Sequence, residues 1–234
     1  MKTLAIALAF AAGLAAEVQK KDVEIKTPDG ITLKGDYFSA GRPGPAILLM
    51  HQCNMDRHAW DGLAGDLAAA GINVLTFDTR GFGESGGTKA ERDKWAADTD
   101  AAYEVLLKEK GVDPSRIAVG GASCGVTLSS DLAARHPEIK ALMILSGRAS
   151  DAAKAHIASD TALAVFGAAS EGDAAAAQGI RDAEGASKNP KSVLKIYEGT
   201  EHGVPMFTKH AELEPMIITW VKTELAVPHA GGTH

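Results

Sequence analysis

The sequence has little cysteine, no excess of positive charge and no block of lysine and arginine. Its 234 residues include only two cysteines, Cys53 and Cys124, and 30 acidic against 24 basic side chains, a formal net charge of −6. A nucleic-acid-binding protein carries a basic patch, so nucleic acid is not an expected partner. No group of His, Cys, Asp and Glu has the sequence spacing of metal ligands, and a chain of this length buries a large core without metal or disulfide support.

Long hydrophobic runs are also missing, apart from one at the amino terminus. Met1 and Lys2 precede an almost wholly apolar stretch, residues 3–14, and small residues follow. This stretch is shorter than the roughly 20 residues that span a bilayer, and its layout is typical of a secretory signal peptide. We predict a signal peptide at residues 1–16, an exported (periplasmic or secreted) mature protein and no stable membrane anchor. The sequence has no cysteine near the predicted cleavage site, so it does not indicate a lipid-anchored form.

Short apolar runs follow, separated by polar segments. Polar and apolar residues alternate on both sides of the turn formed by Pro28, Asp29 and Gly30, which predicts an amino-terminal β-hairpin over residues 23–27 and 31–38. Later runs are apolar without alternation, as in strands that are buried on both faces. These runs cover residues 46–50, 74–77, 117–119, 141–145, 162–166 and 193–197.

Segments of helical spacing lie between the apolar runs. Apolar residues recur at this spacing around Trp60, Trp95, Leu128 and Trp220. Strands that alternate with helices predict the α/β class, with a mostly parallel central β-sheet flanked by helices. Since no repeat or Pro/Ser-rich linker divides the chain, we predict one domain over residues 17–226. Residues 227–234 have too little apolar content to pack and are predicted to form a flexible tail.

Residues 121–125 read Gly-Ala-Ser-Cys-Gly and follow a predicted strand directly. A helical pattern begins immediately after them. A serine on a tight strand-to-helix turn projects its hydroxyl beyond the sheet, and flanking glycines avoid clashes that a Cβ would cause. Ser123 is therefore the candidate nucleophile.

A serine needs a base to take its proton, and the base needs an acid to orient it. His202 follows the predicted strand 193–197 and is the candidate base. The acid is expected between the serine and the histidine in the chain. Asp173, on the loop after the strand 162–166, is the first candidate. The alternatives are Glu171, Asp151 and Asp160.

Two backbone amides are expected to stabilise an oxyanion at this site. One belongs to the residue after the nucleophile, Cys124, and the other to the loop after the strand 46–50, where Cys53 is the candidate. Amides that converge on one oxyanion bring the two cysteine backbones close together. The sequence leaves open whether Cys53 and Cys124 form a disulfide or remain two free thiols.

The glycines of residues 81–86 also match the dinucleotide-binding pattern G-x-G-x-x-G. Three residues separate these glycines from the preceding strand, no helix opens at the last glycine, and no acidic residue ends a strand about 20 residues later. A nucleotide cofactor is therefore not expected, and the sequence indicates no other cofactor and no metal.

Together these motifs resemble the α/β-hydrolase fold superfamily, and within it the small lidless branch around dienelactone hydrolase. The resemblance runs from residue 23 to about residue 225. It implies an α/β-hydrolase fold without a cap domain, because residues 146–161 leave room for only a short helix. The motifs that carry it are His-Gln-Cys at 51–53, Asp-Thr-Arg-Gly-Phe-Gly-Glu-Ser at 78–85, residues 121–125, residues 169–173 and His202.

Two departures from that branch matter for function. Dienelactone hydrolases have a cysteine nucleophile where this chain has Ser123, which favours simple carboxylic esters. Gln52 stands where the family usually has glycine, and we expect its side chain to crowd or polarise the acyl side of the site.

The resemblance implies a serine hydrolase that cleaves small-molecule or polymeric esters with small acyl groups in an open site. The alternatives are a thioesterase or peptidase with the same three residues, and a non-catalytic ligand-binding relative that keeps the fold.

Overall fold

The computed structural model describes residues 18–226. Residues 1–16, predicted to be a signal peptide, and the predicted tail 227–234 lie outside the described residues. The described chain contains a single eight-stranded sheet. Its strands are β1 (Gln19–Lys26), β2 (Thr32–Ser39), β3 (Gly44–Met50), β4 (Asn73–Phe77), β5 (Val112–Ala122), β6 (Ala141–Leu145), β7 (Ala164–Ser170) and β8 (Val193–Tyr197).

The strand order in the sheet is β1-β2-β4-β3-β5-β6-β7-β8. The β1–β2 hairpin is antiparallel and joins β4 in antiparallel fashion, while every pair from β4 to β8 is parallel. The prediction of a mostly parallel sheet with an amino-terminal hairpin is confirmed. β5 begins five residues before the predicted run at 117. Residues 113–116 are Asp, Pro, Ser and Arg and are at least partly exposed, so they carry no hydrophobic signal that would predict a strand.

Helices cover both faces of the sheet. Alternate residues of each inner strand point to opposite faces, as Leu48 and Leu49 of β3 do, so both faces need apolar side chains and the runs do not alternate. Helices α2 to α5 pack on one face, and α1, α6 and α7 pack on the other. The helices are α1 (Asp61–Ala69), α2 (Trp95–Lys108), α3 (Cys124–Arg135), α4 (Asp151–Ser159), α5 (Ala174–Ala186), α6 (Met206–Lys209) and α7 (Leu213–Glu224).

The segment between β6 and β7 contains only α4, nine residues long, in agreement with the expectation that no cap domain is inserted there. Within residues 18–226, no helix has both the length and the hydropathy that a bilayer span requires.

A buried ion network holds the loop that follows β4. The guanidinium of Arg80 donates to both carboxylate oxygens of Asp98, at 2.8 and 2.7 Å, and also to Asp29. Arg80 and Asp98 are both fully buried. The hydrogen bonds to Asp98 and Asp29 raise the pKa of Arg80 above its ordinary value, so Arg80 remains charged and fixes the loop to α2.

Replacing Arg80 with methionine should lower the free energy of unfolding by about 3–5 kcal/mol, because Asp98 would stay buried without its partner. Urea unfolding followed by circular dichroism measures this loss. A second substitution, Asp98→Leu, removes the unpaired buried charge. The double variant should therefore recover at least half of the free energy of unfolding that Arg80→Met loses. A loss below about 1 kcal/mol, the range of an exposed ion pair, would contradict the role given to Arg80.

His51 connects the loops that follow β3 and β4. The backbone N–H of Thr79 donates to Nε2 of His51 at 3.0 Å, and Nδ1 lies 2.9 Å from the carbonyl oxygen of Gln52. Since Thr79 N–H can only donate, Nε2 carries no proton and Nδ1–H donates to Gln52. Burial lowers the pKa of His51 below its ordinary value. The imidazole is therefore neutral in the folded protein.

The buried imidazole makes stability depend on pH. Above about pH 6.5 His51 is neutral in both states, whereas below it only the unfolded chain takes up the proton, so stability falls as pH falls. In an NMR titration, the His51 ring signal, identified by its loss in His51→Gln, should show its midpoint below 6.5. A midpoint at or above 6.5 would show that the folded protein accepts the proton.

Candidate active site

Four strands deliver the candidate residues to one edge of the sheet. Cys53 follows β3, Ser123 follows β5, Asp173 follows β7 and His202 follows β8. Because β3, β5, β7 and β8 run in the same direction, their carboxyl ends lie at the same edge. Residues far apart in the chain are thereby brought together.

Ser123 occupies the single residue between β5 and α3. Its backbone has φ 55° and ψ −117°, a conformation that a residue with a side chain rarely adopts. Its N–H donates to the carbonyl of Leu145 at 2.9 Å, and its own carbonyl accepts the N–H of Val126 at 3.0 Å. Strain of this kind is typical of a nucleophile held on a sharp turn.

The glycines beside Ser123 allow the turn to close. A Cβ on Gly121 would overlap the backbone of Gly125, and a Cβ on Gly125 would overlap the carbonyl of Met50 in β3. The backbone at both positions therefore approaches its neighbours more closely than any other residue allows. This is the physical reason for the two glycines in the motif at 121–125.

The side chains of Ser123, His202 and Asp173 form a continuous chain of hydrogen bonds. Nε2 of His202 lies 2.7 Å from Oγ of Ser123, and Nδ1 of His202 lies 2.5 Å from Oδ2 of Asp173. An ionised Asp173 accepts the Nδ1 proton, which leaves Nε2 free to accept the serine hydroxyl. The side chain of His202 is 42% exposed and that of Asp173 is 21% exposed, so the imidazole faces solvent.

Two hydrogen bonds, one from a side chain and one from the backbone, hold the loops that carry Asp173 and His202 against each other. The hydroxyl of Ser170 donates to the carbonyl of Glu201 at 2.7 Å, and the N–H of Gly172 donates to the carbonyl of Gly199 at 2.8 Å. Both contacts join the end of β7 to the segment after β8. The distance between the acid and the imidazole is therefore fixed by the backbone as well as by the side chains.

The three alternative acids lie elsewhere. Glu171 is exposed, and within residues 18–226 its carboxylate makes no hydrogen bond. Asp151 forms an ion pair with Lys154 at 2.9 Å, and Asp160 lies 3.7 Å from the imidazole of His156. Asp173 is therefore the acidic side chain that the fold brings to His202.

Cys53 and Cys124 are joined by a disulfide, with their Cα atoms 5.8 Å apart. Of the two possibilities that the sequence left open, the structure has the disulfide and not the two free thiols. Within the described chain, the backbone N–H groups of these two residues donate to no protein acceptor. Both amides are therefore available for a negatively charged oxygen.

A cavity of about 310 Å³ opens onto Ser123 and His202. Its other lining residues are mostly small: Thr127, Ser146, Gly147, Arg148, Asp173, Ala175 and Ala176. A larger cavity, of about 570 Å³, lies near Lys140 and Glu224. Lys140 directly precedes β6, so this second cavity is at the amino ends of the strands, away from Ser123.

Gln52 does not line the cavity at Ser123. The cavity lining does not include Cys53 or Cys124 either, so the expectation that the Gln52 side chain crowds or polarises the acyl side of the site stays a prediction. The side chain is buried and bonds to the backbone N–H of Val204, in the loop after His202. The sequence marks position 52 because Gln52 stands where the family usually has glycine. It does not show that the partner of the side chain is Val204, which is distant in the chain.

One group of side chains in residues 18–226 has metal-ligand geometry. Asp36, His58 and Asp61 each place one donor atom within 4.8 Å of the others. Asp36 belongs to β2 and is far from the pair His58 and Asp61 in the sequence, so sequence spacing does not bring the three together. Lys20 lies 3.0 Å and Arg57 lies 3.2 Å from the same carboxylate oxygen of Asp36, so protein cations already neutralise this carboxylate.

A family model described as serine aminopeptidase, S33 (Hydrolase_4) matches residues 41–201. An uncharacterised protein of Mycobacterium tuberculosis is 40% identical over 119 residues, which cover 50% of this chain and 42% of that protein. A thiohydrolase of Arthrinium phaeospermum is 34% identical over 122 residues, which cover 50% of this chain and 40% of that enzyme. The chain thus spans less than half the length of these relatives.

Solved structures share the fold at lower identity. An esterase of Pyrococcus furiosus superposes with a TM-score of 0.71 at 18% identity, covering 89% of this chain and 94% of the esterase. A dienelactone hydrolase of Anabaena variabilis gives a TM-score of 0.71 at 19% identity, covering 89% of this chain and 99% of that enzyme. With the family match over most of the domain, this chain belongs to the Hydrolase_4 family (serine aminopeptidase, S33) of the α/β-hydrolase superfamily.

Proposed function

We propose that this protein is a hydrolase that cleaves carboxylic esters with small acyl groups through an acyl-enzyme intermediate on Ser123. The observation that carries the proposal is the hydrogen-bond chain from Ser123 through His202 to Asp173. It ends at a hydroxyl on a strained turn that opens into a cavity. Serine, imidazole and carboxylate in this order form the catalytic triad of acyl transfer.

In the first half of the reaction, Oγ of Ser123 attacks the ester carbonyl while Nε2 of His202 takes the hydroxyl proton. The carbonyl oxygen becomes negatively charged and accepts hydrogen bonds from the N–H groups of Cys53 and Cys124. The C–O bond to the alcohol then breaks, and His202 gives its proton to the leaving alcohol. Asp173 stabilises the imidazolium that exists between these two transfers.

In the second half, water attacks the acyl group on Ser123. His202 takes a proton from this water, the same two N–H groups bind the oxyanion, and the bond to Oγ of Ser123 breaks. The imidazolium returns a proton to Oγ. The net change is the addition of water across the ester bond, and the free enzyme is regenerated.

The shape of the site supports small acyl groups. The cavity beside Ser123 has a volume of about 310 Å³ and is lined mainly by small side chains, and α4 is the only helix between β6 and β7. An uncapped site also admits a polymeric ester. Thioesters and peptides are alternative substrates, since a thiohydrolase is among the relatives and the family is described as aminopeptidases. Acetyl esters, acetyl thioesters and amino-acid anilides, compared by kcat/KM, distinguish these classes.

Export remains part of the proposal. It rests on the signal-peptide pattern of residues 1–16, and it favours extracellular or periplasmic esters over intracellular thioesters.

Ser123→Ala should lower kcat for a short-chain chromogenic ester by about 10⁴-fold or more, because the nucleophile is lost. His202→Ala should cause a loss of similar size, since the hydroxyl proton then has no acceptor. Labelling of Ser123 by an organophosphate should disappear in parallel. The melting temperature of each variant shows whether it is folded. A folded Ser123→Ala variant with wild-type turnover would exclude this mechanism, and a wild-type protein without turnover or labelling would favour a non-catalytic relative.

Asp173→Asn should lose at least about 10³-fold in kcat, because the amide no longer holds His202 in the required tautomer. Glu171→Gln is the matched control, two residues away on the same loop and exposed. It should keep turnover within about twofold of wild type, as expected for an exposed group. The reverse order of the two effects would transfer the role of acid to Glu171.

Loss of the disulfide between Cys53 and Cys124 should lower kcat. The double substitution Cys53→Ala and Cys124→Ala keeps both backbone N–H groups but removes the bond between their loops. We expect kcat to fall about tenfold, less than the 10²–10³-fold loss on removing an oxyanion donor outright, with little change in KM. Treatment of the wild type with a dithiol should reproduce this effect. The double variant should not respond to the dithiol, and full activity of the reduced wild type would contradict the proposed role.

A further inference from the structure

Gln52 connects the loop after β3 with the loop that carries His202. Gln52 as a whole residue is 1% exposed. Its Oε1 accepts the backbone N–H of Val204 at 2.9 Å, and its Nε2 donates to Oδ1 of Asn54 at 2.8 Å. Because Val204 N–H can only donate, the orientation of the Gln52 amide is determined by this contact.

The close approach at Gly203 supports this connection. Gly203 lies next to His202 and has φ +69°. A Cβ on Gly203 would overlap Oε1 of Gln52 and lie 3.3 Å from the Cβ of Ala122 at the end of β5. The backbone after His202 therefore runs directly against Gln52 and the strand that leads to Ser123.

The two sides of His202 are held in different ways. Before it, the carbonyl of Glu201 accepts the hydroxyl of Ser170, which fixes this side to β7. After it, the N–H of Val204 donates to Gln52, which fixes that side to the loop after β3. The next residue in that loop is Cys53, whose N–H is one of the proposed oxyanion donors.

We propose that Gln52 is a positioning residue, which sets the distance between His202 and the oxyanion donor at Cys53. The proposal rests on the proposed function, because base and oxyanion donor must act on the same tetrahedral carbon. Gln52 itself does not touch the cavity at Ser123. It acts through the backbone of Val204 on one side and through its own peptide bond to Cys53 on the other. A displacement of about 1 Å at such a site is sufficient to lower the rate by about 10²-fold.

Three variants test this role. Gln52→Leu removes the acceptor for Val204 N–H at similar volume. Gln52→Glu keeps an acceptor oxygen in the same place, and the amide of Asn54 can turn so that its NH₂ donates to the carboxylate. Ser192→Ala is the matched control, since Oγ of Ser192 also accepts a backbone N–H, that of Val165 at 3.0 Å. Val165 lies at the amino end of β7, at the opposite edge of the sheet from Ser123.

In ester hydrolysis, Gln52→Leu should lower kcat about tenfold to 10²-fold, with KM within about twofold of wild type. Gln52→Glu should restore kcat to within about threefold of wild type. Ser192→Ala should keep wild-type kcat even where its melting temperature falls as far as that of Gln52→Leu. Hydrogen exchange measured by mass spectrometry should become faster over residues 199–205 in Gln52→Leu but not in Ser192→Ala.

The inference is overturned if Gln52→Leu keeps kcat within twofold of wild type, if Gln52→Glu is no better than Gln52→Leu, or if Ser192→Ala loses kcat equally. Hydrogen exchange does not depend on catalysis, so it distinguishes failure of the role proposed for Gln52 from failure of the proposed function. If wild-type protein hydrolyses no ester, the proposed function is wrong, and exchange over residues 199–205 then decides the role of Gln52. Unchanged exchange in Gln52→Leu overturns that role as well.

Discussion

The parallel alignment of β3, β5, β7 and β8 is the constraint on which the candidate site depends. Backbone hydrogen bonds fix the register in which Met50 of β3 lies beside Gly121 of β5, and Ala122 of β5 beside Leu145 of β6. A slip of one residue in such a sheet turns every side chain to the opposite face. Both faces of this sheet are packed with helices, so a slip would misfit the packed side chains on both faces, and in the observed register the loops that carry the site leave the same edge.

Contacts of several chemical kinds then fix the loops relative to one another. His51 accepts the N–H of Thr79, a disulfide joins Cys53 to Cys124, and Gln52 accepts the N–H of Val204. The first and third contacts each bind a backbone N–H group, and the second is a covalent bond. The strained conformation of Ser123 is maintained in the same way, through backbone hydrogen bonds to its neighbours. The geometry that the proposed acyl transfer needs would therefore be set by the folded chain before any substrate binds.

The parts of the structure that the sequence predicts are those encoded locally. The apolar runs predict the inner strands because burial on both faces leaves no room for polar residues. Ser123, Asp173 and His202 are predicted because each follows a strand and their order along the chain is that expected for acyl transfer. The three side chains do meet in the structure, while their catalytic roles remain proposals.

The contacts that the sequence does not predict join residues that are distant in the chain. Gln52 and Val204 are 152 residues apart, and no local pattern reports such a pair. The proximity of Cys53 and Cys124 follows from the motifs, but the direction of their side chains does not, so disulfide and free thiols were both consistent with the sequence. The start of β5 is a third example. Val112 pairs with Gly44 of β3, and the register then shifts before pairing resumes between Ile117 and Ala46, while residues 113–116 carry no hydrophobic signal.

The disulfide also divides the chain topologically. It closes a covalent ring over a sequence separation of 71 residues, and this ring contains α1, β4, α2 and β5. Ser123 and both proposed oxyanion donors are members of the ring, whereas Asp173 and His202 belong to the carboxyl-terminal part outside it. A protease that cuts the ring once leaves two fragments that are still joined at the site. Local unfolding of the carboxyl-terminal part, in contrast, removes Asp173 and His202 together and leaves Ser123 without its hydrogen-bond partner.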